Sequence, residues 1–122
     1  MLPILGASLR PENLATHHNW LREKPRDLEL NGFHEPPFGE DARADVEAVK
    51  PHLEGLEGRI GVHGPFRGFA LDTEDADVRA VIHKRLDQAL DLSGWIGATQ
   101  IVLHSPVKAW HHENLLNADD GW

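Results

Sequence analysis

Arg59-Ile60-Gly61-Val62-His63-Gly64-Pro65 and Gln100-Ile101-Val102-Leu103-His104-Ser105-Pro106 share one form: a short apolar run, a histidine, a small residue and a proline. Each run has the length of a strand. A proline cannot donate to a sheet ladder, so each histidine falls at the carboxyl end of its strand. A long helical pattern lies between the two runs, which makes them successive strands one βα unit apart. Strand side chains alternate between faces, so Ile60 and Val62 oppose Gly61 and His63, while Ile101 and Leu103 oppose Gln100, Val102 and His104. The two histidines have the same parity.

Two earlier apolar runs, residues 4–9 and 28–30, extend the pattern toward the amino terminus and give the order βαβα. The first leads to Pro11, well placed as a first helical residue, with Leu14, His18 and Leu21 at helical spacing before Pro25 ends the pattern. After Asp27-Leu28-Glu29-Leu30-Asn31, residues 32–40 contain Pro36, Pro37 and Gly39 and read as a long irregular connection. Asp41 is then expected to cap a helix that turns Val46, Val49, Leu53 and Leu56 one way, with Pro51 breaking or kinking it near Lys50. The next helix is expected to start near Asp72 or Thr73 and to run about five or six turns. Its apolar stripe is Val78, Val81, Ile82, Leu86, Ala89 and Leu90, with stopping points at Gly94 and Gly97. Residues 108–117, with Trp110, Leu115 and Leu116, read as the start of a fourth helix. No linker divides the chain, so residues 1–122 are read as one domain.

The second strand repeats the parity of the later two, with Leu28 and Leu30 opposing Glu29 and Asn31. With the aliphatic residues packed under helices, Glu29, Asn31, His63 and His104 converge near the carboxyl ends of adjacent parallel strands, the rim on which α/β barrels build their sites. The fold class read from this pattern is α/β: parallel βα units of the TIM-barrel type, about four strands, a half barrel.

The composition narrows the chemistry. The 122 residues contain no cysteine, which removes disulfides, a thiol nucleophile and thiolate metal sites, so any metal must take nitrogen and oxygen ligands. The net charge of −8, with the basic residues scattered, disfavours a nucleic acid partner. No window approaches the ~20 apolar residues of a membrane span. The amino terminus has no basic region before its short apolar run, so a cytoplasmic location is expected. There is no dinucleotide or P-loop glycine spacing and no Gly-x-Ser-x-Gly elbow.

Four stretches together resemble the xylose-isomerase-like barrels, a group of sugar-phosphate isomerases and epimerases that also includes the endonuclease IV branch. They are Leu28-Glu29-Leu30 with its proline-containing loop, Ile60-Gly61-Val62-His63-Gly64-Pro65-Phe66, the helix end Leu90-Asp91-Leu92-Ser93-Gly94-Trp95-Ile96-Gly97-Ala98, and Ile101-Val102-Leu103-His104-Ser105-Pro106. The resemblance covers about residues 3–110. It implies a divalent metal (zinc, manganese, magnesium or cobalt) in the barrel mouth, polarising a substrate oxygen while a carboxylate moves a proton beside a carbonyl. In the endonuclease branch the histidines matching His63 and His104 are metal ligands; in the sugar branch the matching positions more often line the substrate pocket. The family's principal metal-binding carboxylates come from later strands, so the expectation is an amino-terminal half barrel without the complete site.

The residues singled out are therefore Glu29 as a catalytic carboxylate, His63 and His104 as metal ligands, and Asn31, His63, His104 and Trp110 as contacts to a sugar or sugar phosphate. Plainer readings stand beside these. A histidine before a small residue and a proline is also what a partly buried imidazole bonded to a carbonyl looks like, and Glu29 also suits a solvated sheet edge. Trp110 also suits a core. The doublets His17-His18 and His111-His112 read as solvated surface, because adjacent helical residues point about 100° apart. Asp72, Glu74, Asp75 and Asp77 read as acids favoured at a helix start. Two other functions compete with the isomerase: a half-barrel module closing its sheet with a second copy or with a separate half barrel, and an endonuclease IV-like metal hydrolase, which the acidic charge disfavours.

Overall fold

The computed structural model describes residues 3–67 and 70–105. Four strands, β1 (Gly6–Leu9), β2 (Asp27–Leu30), β3 (Ile60–His63) and β4 (Gln100–Val102), form one sheet in the order β1-β2-β3-β4. Every neighbouring pair is parallel. The register sets Ser8 beside Glu29, Glu29 beside Gly61, and His63 beside Val102. The α/β class read from the sequence is thus the class observed.

The parity expected of β2 and β3 holds, whereas β4 ends at Val102, two residues short of His104, and Leu103, expected under the helices, is exposed. Leu28, Leu30 and Val62 are buried in a single core with Leu14 and Leu21, with Val46, Val49 and Leu53, and with Leu92 and Ile96. That core draws on all three connections between the strands, so the helices cover one face of the sheet. The opposite face carries Ser8, Glu29, Gly61 and His63.

Between β1 and β2 the chain makes a 3-10 turn (Pro11–Asn13) and a short helix, α1 (His18–Arg22), instead of one continuous helix. Pro11 holds the first position of the turn as expected. Leu14 and Leu21 are buried, whereas His18 is exposed, and Thr16 and His17 between them are weak helix formers.

Helix α2 (Arg43–Leu53) buries Val46, Val49 and Leu53 at the spacing the sequence predicts. Two expectations for it are corrected. Asp41 lies in a 3-10 turn (Gly39–Ala42), and Ala42 occupies the N-cap with no side-chain cap bond. The helix also continues through Pro51, because the missing donor falls in the last turn and the following Leu53 is held in the core.

Helix α3 (Ala76–Ile96) starts a few residues later than predicted, where Asp75 Oδ1 accepts bonds from the backbone N–H groups of Asp77 (2.9 Å) and Val78 (3.1 Å). Gly97, one of the two predicted stopping points, ends it in the left-handed conformation at φ 78°. The predicted stripe is only half right: Ile82 and Ala89 are buried, with Leu92, Ser93 and Ile96, but Val78, Val81 and Leu90 are exposed. Val81 and Leu90 each sit next to a buried residue, Ile82 and Ala89, and at about 100° per residue they turn away from the face that packs on the core. Among the described residues no helix is long and apolar enough to cross a membrane.

Candidate functional site

The strand ends meet at one rim of the sheet, beside the face that carries no helix among the described residues. Alternation aims Ser8, Glu29 and His63 out of that face, and His104 follows β4 by two residues. Gly64 brings the last two strand ends together. Its N–H donates to the Val102 carbonyl at 2.8 Å, and a Cβ on it would meet Leu103 Cδ2 at 2.6 Å and the Val102 oxygen at 3.2 Å. The small residue after His63 in the repeated motif lets the two strand ends approach this closely.

A continuous row of polar contacts crosses the sheet. Asn31 Nδ2 donates to Ser8 Oγ at 3.4 Å, and Ser8 Oγ donates to Glu29 Oε1 at 3.1 Å. Glu29 Oε1 lies 2.7 Å from His63 Nδ1, and His63 Nε2 lies 3.1 Å from His104 Nε2. A carboxylate can only accept, so His63 carries a proton on Nδ1, and when the ring is neutral its Nε2 lone pair is directed at His104. Two arrangements satisfy the two Nε2 atoms. Either His104 donates its Nε2–H to His63, or both lone pairs converge on an electrophile between them.

The second arrangement suits a metal ion. At zinc–nitrogen distances near 2.0–2.1 Å, two tetrahedral imidazole ligands sit about 3.3 Å apart, close to the separation found. Glu29 behind His63 Nδ1 stands where an outer carboxylate would orient the imidazole and raise its basicity toward an ion. The pair offers two nitrogen ligands, and among the described residues no group of three or more His, Cys, Asp or Glu is placed to hold an ion. His63 and His104 would hold the metal, which when bound supplies Lewis acidity; the remaining ligands would be solvent, substrate or residues outside the described ones.

Of the residues singled out in the sequence, the fold gathers Glu29, Asn31, His63 and His104 into this one row, whereas Trp110 lies outside the described residues. Sequence reading gave no role to three neighbours. Ser8 was legible in principle, since it alternates with Ala7 and Leu9 as Glu29 does with Leu28 and Leu30. His34, 5% exposed, sits in the connection read as irregular, its ring 5.6 Å from that of His63. Its Nδ1 accepts the Gly32 N–H at 3.3 Å, and burial pushes its pKa down, favouring the neutral ring. Phe66 packs against His34, His63 and His104.

The loops above the row are tied by charge. Glu35 pairs with Arg10 at 3.2 Å and lies 3.8 Å from Arg67, joining the loops after β1, β2 and β3. These bonds hold the Glu35 carboxyl below its usual range, chiefly through the hydrogen bond from Arg10. A cleft of roughly 280 Å³ opens beside Ser8, Glu29 and Gln100 on the bare face of the sheet. A larger one of roughly 430 Å³ runs between Arg10, Glu35, Pro37 and His52 and contains no residue of the row. The first adjoins the groups able to do chemistry. Protein-family models, curated proteins and solved structures give no match to the chain.

Proposed function

We propose that this chain is the amino-terminal half of a xylose-isomerase-like barrel, and that the product containing it is a cytoplasmic, divalent-metal-dependent sugar or sugar-phosphate isomerase or epimerase. The observation that carries the reading is the row Glu29–His63–His104 at the carboxyl ends of three adjacent parallel strands. Sequential strand order supports the barrel. Each crossover steps the same way along the sheet and leaves its helix on the same face, whereas open doubly wound sheets reverse direction and cover both faces.

In this reading His63 and His104 hold the ion through Nε2 and Glu29 keeps the His63 proton on Nδ1. Ser8 and Asn31 steady Glu29 from the other side. A metal held there would supply Lewis acidity toward a substrate oxygen, and a carboxylate would take the proton from the adjacent carbon. The test is deuterium wash-in. Aldoses, ketoses and their phosphates are incubated in D₂O with the product that contains this chain and manganese or cobalt, and proton NMR follows the position next to the carbonyl. Metal-dependent exchange abolished by His63→Ala is the expected result; no exchange with any member of the set overturns the isomerase reading.

A second reading, a half barrel that closes with another copy, is favoured by the apolar residues exposed near both sheet edges: Ile4 (57%) and Leu5 (61%) beside β1, and Leu103 (42%) after β4. It predicts at least twice the 13.6 kDa chain mass by light scattering, and a stable monomer counts against it.

A further inference from the structure

His104 stands two residues beyond β4, on exposed chain where the ladder has ended. A side chain so placed samples several rotamers unless something holds it. Its ring nevertheless meets His63 Nε2 to Nε2. The contact that fixes the ring plane is Phe66, whose ring stacks on that of His104 with centroids 4.2 Å apart and planes 18° from parallel. Phe66 also meets His63 edge-on, at 5.2 Å and 75°.

Phe66 is itself braced. Behind it lies buried His34, ring centroids 4.7 Å apart, with Nδ1 tied to the Gly32 backbone. Pro65, also buried, precedes it. The braced phenyl face presents a flat wall against which the imidazole can rotate only in its own plane, and hydrogen bonding to His63 selects the direction.

We propose that Phe66 is the positioning residue of the two-histidine site: stacking on its ring holds His104 with Nε2 directed at His63. This rests on the reading of His63 and His104 as a functional pair. It does not require that the pair act in an isomerase.

The experiment is histidine-selective NMR on the full chain. Ring-to-ring nuclear Overhauser contacts between Phe66 and His104 are expected in the wild type, with the His104 ring protons moved upfield by the phenyl face. Phe66→Leu should remove the upfield shift and weaken cobalt(II) binding by ~10- to 100-fold, the size of effect usual for groups that orient a metal ligand. Phe66→Tyr, which keeps the aromatic face, should restore both. Unchanged His104 ring shifts in Phe66→Leu overturn the proposal, as does absence of the Phe66–His104 contacts in the wild type, a measurement that needs no variant to fold. A wild type that shows those contacts but binds no cobalt defeats the metal reading alone and leaves the positioning role of Phe66 intact.

Discussion

His63 Nδ1 lies 2.7 Å from Glu29 Oε1, a contact that joins adjacent strands across 34 residues of sequence. It fixes which nitrogen of His63 is free, and so which atom faces His104. Glu29→Gln keeps the shape and removes the charge that makes His63 a strong donor. Zinc affinity measured by calorimetry should fall ~10- to 100-fold. The fold should survive, since Glu29 projects from the open face. An unchanged affinity would show that Glu29 does not act through His63.

Acid should destabilise the protein in two windows. His34 is buried and its pKa lies below the ordinary value, so below about pH 6.5 the unfolded chain takes up a proton that the folded chain refuses. Stability from this group is complete above that pH and is lost as pH falls toward the folded pKa. Asp27 acts lower down. Its carboxylate accepts the Arg59 side chain and backbone N–H, bonds that hold its pKa below the usual value, so its contribution is complete well above about pH 3.9 and fades as pH drops through the folded pKa. Urea unfolding at a series of pH values checks both: His34→Gln should flatten the upper window and Asp27→Asn the lower.

Leu30 is fully buried between the helices and the sheet. Leu30→Ala should cost about 2–5 kcal/mol, because the rigid strand on either side prevents the cavity from closing. Urea denaturation monitored by circular dichroism measures it, and a loss under ~1 kcal/mol would mean the core around β2 is looser than the packing indicates.

Asp75 satisfies two of the free N–H groups at the start of α3. Asp75→Ala should cost about 1 kcal/mol, and Asp75→Ser should recover most of it. Asp72→Ala, three residues before the cap, should change thermal stability little.

Much of the site was legible because a strand is the simplest of periodic structures. Once residues 28–30 and 59–62 are read as strands, alternation puts Glu29 and His63 on one face and parallel pairing brings them into line, whereas His104 lies two residues past β4 and meets them through its contacts with His63 and Phe66. The apolar positions of α2 were legible for the same reason at a different period. That the helix runs on through Pro51 depends on how close this residue lies to the helix end, and the stripe of α3 was only half legible because spacing does not fix how the helix is rotated against the core.

Sequence by itself thus determined the strand positions, their order of appearance and the shared parity of Glu29 and His63, since these follow from local sterics and a period of two. Only the tertiary structure decided that His63 Nδ1 faces Glu29 while Nε2 faces His104, and that Ser8, His34 and Phe66 belong to the same place. Those contacts depend on side-chain rotamers and on the path of irregular loops. Both are set by packing between segments tens of residues apart, for which the chain carries no local period.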